Sequence, residues 1–200
     1  MTKYVLNSGN LRGNPDKAKR FFAEIVKGLG PNPKMLIALF SQRREDWEII
    51  FARYQESMPG LMPEGVASKL EMAFPGTFKE QIKQSDIVFL PGGDDHLIKY
   101  WLGQFDIPKI WRGKVVAGAS AGSDVLSKYF WTCDWRENMD GLGILPIKFL
   151  SHYKSHYGAD DPFRGPVGWD KAYRELEAYG EKLPIHALKE GDFVTIEVDD

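Results

Sequence analysis

Residues 115–124 read Val115-Val116-Ala117-Gly118-Ala119-Ser120-Ala121-Gly122-Ser123-Asp124. A short apolar run, the pattern of a buried strand, leads straight into Gly118-Ala119-Ser120-Ala121-Gly122, a Gly-x-Ser-x-Gly elbow. A helix is expected to open at Asp124–Lys128. A serine on such a strand-turn-helix corner is pushed out of the sheet with its hydroxyl exposed. Small neighbours let the backbone turn sharply and let a substrate come close.

Working outward, the chain alternates buried strands with amphipathic helices. Tyr4–Leu6 reads as a strand ending in the polar turn Asn7-Ser8-Gly9-Asn10. Asn14 and Pro15 open a helix in which Ala18, Phe21, Phe22, Ile25, Val26 and Leu29 recur at helical spacing up to Gly30. Met35–Phe40 reads as a buried strand. Glu45–Met58 reads as a helix with Trp47, Ile50, Phe51 and Tyr54 on one face. Val66–Met72 is a weaker strand and Thr77–Gln84 a helix. Ile87–Leu90 is a buried strand closed by Pro91-Gly92-Gly93, and Leu97–Phe105 a helix. This alternation predicts one α/β domain over 1–200, a three-layer sandwich around a mostly parallel central sheet, with its site at the carboxyl ends of the strands. Residues 130–170 have few clean periods and read as long loop and short strand. Trp169–Tyr179 is a helix. Pro184–Leu188 and Phe193–Val198, joined by Lys189-Glu190-Gly191-Asp192, read as a C-terminal β-hairpin.

Bulk properties narrow the function. The 200 residues carry 26 lysines and arginines against 28 aspartates and glutamates, a formal charge of −2. No basic excess points to nucleic acid, and none is expected as a partner. One cysteine, Cys133, cannot form an internal disulfide, which fits a reducing compartment. The run Met1-Thr2-Lys3 into Tyr4-Val5-Leu6 is not expected to be a secretory leader, and no apolar run approaches the ~20 residues needed to span a bilayer. The expectation is a cytoplasmic protein without membrane contact, a monomer or homodimer.

A serine hydroxyl needs a base, usually histidine, held in its tautomer by a carboxylate. After Ser120 the histidines are His152, His156 and His186, the last inside the expected hairpin; His96 precedes the elbow. Nearby acids are Asp134, Glu137 and Asp140. Backbone N–H groups must hold the oxyanion; Ala121, at the elbow, and Gly92 or Gly93, after the neighbouring strand, are the candidates. His152 and His156 have the i, i+4 spacing of metal ligands, but no glutamate adjoins the first and no third ligand is evident, so no metal or cofactor is expected.

Three blocks resemble the dipeptidase E family of serine peptidases, which includes cyanophycinase-like members and whose fold is similar to that of class I glutamine amidotransferases (flavodoxin-like). They are Ser85-Asp86-Ile87-Val88-Phe89-Leu90-Pro91-Gly92-Gly93, Gly118-Ala119-Ser120-Ala121-Gly122, and Gly141-Leu142-Gly143-Ile144-Leu145-Pro146 followed by His152-Tyr153. Thr132-Cys133-Asp134 resembles the family's Thr-Asn-Asp segment. The resemblance implies a peptidase acting on small peptides, with Ser120 as nucleophile, His152 as base and Asp134 as orienting acid. Two departures stand out. Gly92-Gly93-Asp94-Asp95 replaces the family's Gly-Gly-Asn-Thr; these acids are expected to cap the next helix or to contact a substrate amine. The family's Gly-Glu-Thr-Arg segment, whose arginine recognises a substrate aspartate, is replaced by Gly165-Pro166-Val167-Gly168-Trp169. Arg164, Lys171 or Arg174 is left to supply that charge. The alternatives are a catalytically silent scaffold that binds a small molecule or protein, and an α/β-hydrolase esterase, whose histidine lies further along the chain than His152.

Overall fold

The computed structural model describes residues 1–199. In chain order its elements are β1 (Thr2–Asn7), α1 (Pro15–Val26), β2 (Lys34–Ile37), α2 (Trp47–Ser57), β3 (Lys69–Met72), α3 (Phe78–Lys83), β4 (Ile87–Leu90), α4 (Asp95–Leu102), β5 (Val115–Ala119), α5 (Ala121–Asp124), β6 (Ser127–Thr132), β7 (Glu137–Asp140), β8 (Leu145–Leu150), α6 (Trp169–Ala178), β9 (Ile185–Ala187) and β10 (Phe193–Val198).

The main sheet has the order β10-β1-β5-β4-β2-β3. Its pairs are parallel except β1–β10, which is antiparallel. Every residue of β4 and β5 is buried. Continuous rather than alternating apolar strands are what a sheet covered on both faces requires. Phe21 and Phe22 of α1 and Tyr54 of α2 pack on Phe89 of β4 with ring centroids 5.8–6.2 Å apart. Phe40, just past β2, packs at 5.0 Å on Phe78 of α3. The α/β fold with a mostly parallel sheet is therefore as the alternating pattern predicts.

Two local expectations are corrected. The C-terminal strands do not form a hairpin with each other. β10 pairs antiparallel with β1, whereas β9 joins β8 in a second sheet of order β7-β6-β8-β9. The Lys189–Asp192 turn thus crosses between sheets. Turn chemistry says where a chain reverses, but not which edge each flanking strand finds. The helix expected at Asp124–Lys128 is also absent: α5 is a single turn ending at Asp124, and the chain runs into β6 from Ser127. Ser127, fully buried, gives its hydroxyl to the carbonyls of Asp124 and Tyr129. A serine bonded this way competes with helix propagation.

The second sheet carries a core of its own. Trp131, Cys133 and Leu150 pack with Val167 and with Ala172 and Leu176 of α6. Lys148 of β8 is buried and donates to the carbonyls of Leu176, Glu177 and Tyr179. Its ammonium caps the C-terminal end of α6, where carbonyls lack intrahelical partners.

Candidate active site

The carboxyl ends of β1, β5 and β4 lie side by side. Asn7 is in register with Ala119, and Leu90 with Gly118. Ser120 follows directly with φ 50° and ψ −121°. Such a conformation costs a non-glycine residue about 1–3 kcal/mol and persists only when its surroundings hold it. Here they do: the Ser120 N–H donates to Asn7 O at 3.0 Å, and its carbonyl accepts from Ser123 and Asp124 N–H at 2.7 and 2.9 Å. The elbow also presses on β4. A Cβ at Gly122 would come closer to the Leu90 carbonyl than any real Cβ approaches an oxygen.

Ser120 Oγ lies 3.0 Å from His152 Nε2. His152 follows β8 and has φ 55°. Its own N–H donates to Ser8 Oγ at 2.7 Å, and Ser8 Oγ donates to Leu188 O at 2.7 Å. The imidazole Nδ1 lies 3.0 Å from Glu190 Oε1. Glu190 is placed by the parallel pairing of β8 with β9, which runs Leu150 beside Ala187. Past those ends, His152 and Glu190 face each other. Asn10 Nδ2 donates to the second carboxylate oxygen, Oε2, at 2.6 Å, and Lys17 Nζ to the Glu190 carbonyl at 2.9 Å. Asn7 holds the same turn through Nδ2 to Gly191 O. The stretch Asn7-Ser8-Gly9-Asn10 therefore binds the serine, histidine and glutamate segments together.

The expected orienting acid, Asp134, is elsewhere. It is exposed, and its Oδ1 accepts from the Tyr157 hydroxyl at 2.7 Å. Tyr157 in turn stacks on the His152 ring at 4.0 Å between centroids. Asp134 thus makes no hydrogen bond to the imidazole, acting on it through Tyr157 and at a distance by its charge, and the carboxylate on Nδ1 is Glu190. Glu137 and Asp140 bound β7, on the far side of β6 from β8. An acid in a tight turn carries no periodicity and no motif, so Glu190 had no signal in the sequence beyond being a carboxylate close to a strand end.

Electrostatics fits a base in waiting. Burial pushes the His152 imidazole below its ordinary value, against the pull of Glu190. Burial alone would raise the Glu190 carboxyl, but hydrogen bonds from Asn10 and His152 outweigh it and hold the group below the usual carboxylate range. The pair therefore rests as neutral imidazole beside carboxylate. Deeper in, burial raises Asp95 to about 7 and Asp124 well above its ordinary value. Asp124 Oδ1 accepts from Ser151 Oγ at 2.8 Å, directly behind His152.

Of the two glycine candidates, Gly92 is the nearer to the serine, a Cβ there lying 3.1 Å from Ser120 Cβ; Ala121 follows Ser120 directly in the chain. A Cβ on Gly93 would point instead at Ser41 and Gln42. Among the described residues, no backbone carbonyl accepts from the N–H of Gly92, Gly93 or Ala121. The Gly92 carbonyl is turned away, accepting from Ser41 Oγ and Gln42 Nε2. Asp94 caps α4 through Leu97 N–H at 2.9 Å. Arg164, expected near the substrate, binds Asp161 and the Asp134 carbonyl, and Lys171 pairs with Glu175. None of Arg164, Lys171 and Arg174 lines the cavity of ≈ 510 Å³ that opens beside Ser120. Among the described residues, no group of three or more His, Cys, Asp or Glu is set to hold a metal ion, and no helix is long and apolar enough to cross a membrane.

A strained serine on an elbow, an imidazole at hydrogen-bond distance and a carboxylate behind it define the class of serine hydrolases. The family model of peptidase family S51 matches residues 42–200, and the chain belongs to that family of serine peptidases. No match is found among curated proteins. Among solved structures, the chain is similar to a peptidase from an acI-B1 Actinobacterium, with 18% identity, TM-score 0.62, and coverage of 98% of this chain and 83% of that one. It is also similar to a Listeria monocytogenes EGD-e protein described as a candidate peptidase E, with 14% identity, TM-score 0.62 and full coverage of both chains.

Proposed function

We propose that the chain hydrolyses short peptides through Ser120, His152 and Glu190. The observation that carries this reading is the continuous run of contacts from Ser120 Oγ to His152 Nε2 and from Nδ1 to Glu190, each 3.0 Å. Ser120 Oγ attacks the scissile carbonyl as its proton passes to Nε2. Glu190 accepts from Nδ1–H, fixing the tautomer and stabilising the imidazolium. The N–H groups of Ala121 and Gly92 face the developing oxyanion, with Gly93 as the alternative donor. Collapse of the intermediate breaks the C–N bond, and the proton on Nε2 goes to the departing amine. Water then attacks the acyl-Ser120 carbonyl, giving its proton to His152 Nε2; the C–Oγ bond breaks, Ser120 Oγ takes that proton back, and the carboxylic acid leaves.

Dipeptides are the substrates this reading favours, and a cytoplasmic location fits the lone cysteine. The test is a dipeptide library assayed with wild-type protein and Ser120→Ala, alongside a fluorophosphonate probe. The wild type should turn over dipeptides and label at Ser120. Ser120→Ala should lose on the order of 10⁶ in kcat. Peptide cleavage that survives this substitution contradicts the mechanism.

A further inference from the structure

The cavity beside Ser120 has a composition that the catalytic groups do not explain. Its volume falls within the roughly 300–1,000 Å³ of small-ligand sites. Most of its wall is apolar, with Phe22, Ile50, Tyr54 and Leu61 on the side of α1 and α2. Phe22 and Tyr54 are braced from behind by Phe89. Burial pushes the Tyr54 hydroxyl up to about 12, so that group stays neutral. The charged residues on the wall are Arg12 and Arg53; no aspartate or glutamate lines it. Both arginines are exposed, and among the described residues neither has an ion-pair partner, as is also true of Arg20, Arg112 and Arg174 away from this wall. Arg12 is also tied to the catalytic end of the molecule. It sits in the turn closed by Asn10 Oδ1 accepting from Gly13 N–H, and Asn10 is the residue that holds Glu190.

We propose that this cavity takes the apolar C-terminal residue of a short peptide, with its free α-carboxylate held by Arg12 and Arg53. The inference rests on the peptidase reading above and names its substrate class. A substrate amine would meet only like charge on this wall. An acidic side chain would satisfy the arginines but leave the aromatic and aliphatic wall unmatched. A C-terminal leucine-like residue carries both an apolar side chain and a carboxylate on one carbon. Arginine is suited to the carboxylate because its planar fork binds two oxygens at once. The site is then an exopeptidase site: peptides extended past this residue lack the anion the cavity is built to hold.

The experiment compares kcat/KM for Ala-Leu, Ala-Leu amide and Ala-Asp in the wild type and in the double variant Arg12→Gln, Arg53→Gln. Labelling of Ser120 by a fluorophosphonate probe is followed in parallel, which reports the peptidase reading separately. Wild type should prefer Ala-Leu to its amide by about 10–100-fold, mostly through KM, the scale of a charge-assisted pair. In the double variant that ratio should fall towards one. The ratio is internal to each protein, so a loss of folded protein does not enter it. With Ser120 labelled, equal cleavage of acid and amide, a ratio that survives the double substitution, no turnover of either, or faster cleavage of Ala-Asp than of Ala-Leu each overturns the proposal. Failure of Ser120 to label overturns the peptidase reading, and this inference with it.

Discussion

At the scale of single residues, the site depends on side chains held in conformations they would not choose alone. Ser120 and His152 both have positive φ. Gly9, with φ 98°, passes beside the pair; a Cβ there would fall 2.7 Å from His152 Cε1 and 3.1 Å from Ser120 Cβ. Ser120 was legible from the elbow together with the buried strand before it, the Gly92-Gly93 loop after the neighbouring strand and a histidine downstream; the Gly-x-Ser-x-Gly string by itself is a weak signal. His152 was legible as one of few histidines downstream. Glu190 was not, since its partner is fixed by how strands pair. The buried imidazole makes a pH prediction. The base must be neutral to accept the serine proton, and burial lowers its proton affinity below the ordinary 6.5. Activity should thus hold as pH falls through 6.5 and decline only below it. A kcat/KM profile on an uncharged peptide substrate checks this; an acidic limb centred above 6.5 contradicts it.

At the scale of elements, the elbow is a close-packed joint between β5, α5 and β4. Gly122 faces the Leu90 carbonyl with no room for a methyl group, and a Cβ on Gly118 would lie 2.5 Å from Gly122 O. Gly122→Ala should destabilise the fold by about 3 kcal/mol or more, the upper range for overpacking against backbone; denaturant unfolding measures it, and a loss under about 1 kcal/mol contradicts the packing account. The central strands β2, β4 and β5 were readable because burial on both faces makes them continuous apolar runs, as in Ile87-Val88-Phe89-Leu90, whereas the partly exposed edge strand β3 reads more weakly. The second sheet was readable only in part. Pro184–Leu188 reads as a strand and contains β9 (Ile185–Ala187), but its partner is β8 rather than β10. Glu137–Asp140 is polar and partly exposed, carries no periodicity that marks a strand, and is defined by its neighbour β6.

At the scale of the whole molecule, segments far apart in the chain close one site: Asn7–Asn10 after β1, Ser120 after β5, His152 after β8 and Glu190 before β10. The closure encloses carboxyls that are costly to ionise. Asp95 is 4% exposed, and its Oδ1 has no hydrogen-bond partner among the described residues. Its folded value of about 7 exceeds the ordinary 3.8. The unfolded chain therefore releases this proton first, so the Asp95 contribution favours folding at low pH and is lost as pH rises from about 4 to about 7. Asp95→Asn removes that loss. Its unfolding free energy relative to wild type should rise by roughly 4 kcal/mol across this window; a difference independent of pH contradicts it. The same topology decides which acid serves His152, because β9 on β8 brings Glu190 to Nδ1 while Asp134 stays on Tyr157. The most direct measurement is dipeptide kcat for Glu190→Gln beside Asp134→Asn. Glu190→Gln should lose roughly 10²–10⁴, the scale for an orienting carboxylate, and Asp134→Asn less than about tenfold. The reverse ranking, with Asp134 the costly loss and Glu190 the mild one, would contradict the account.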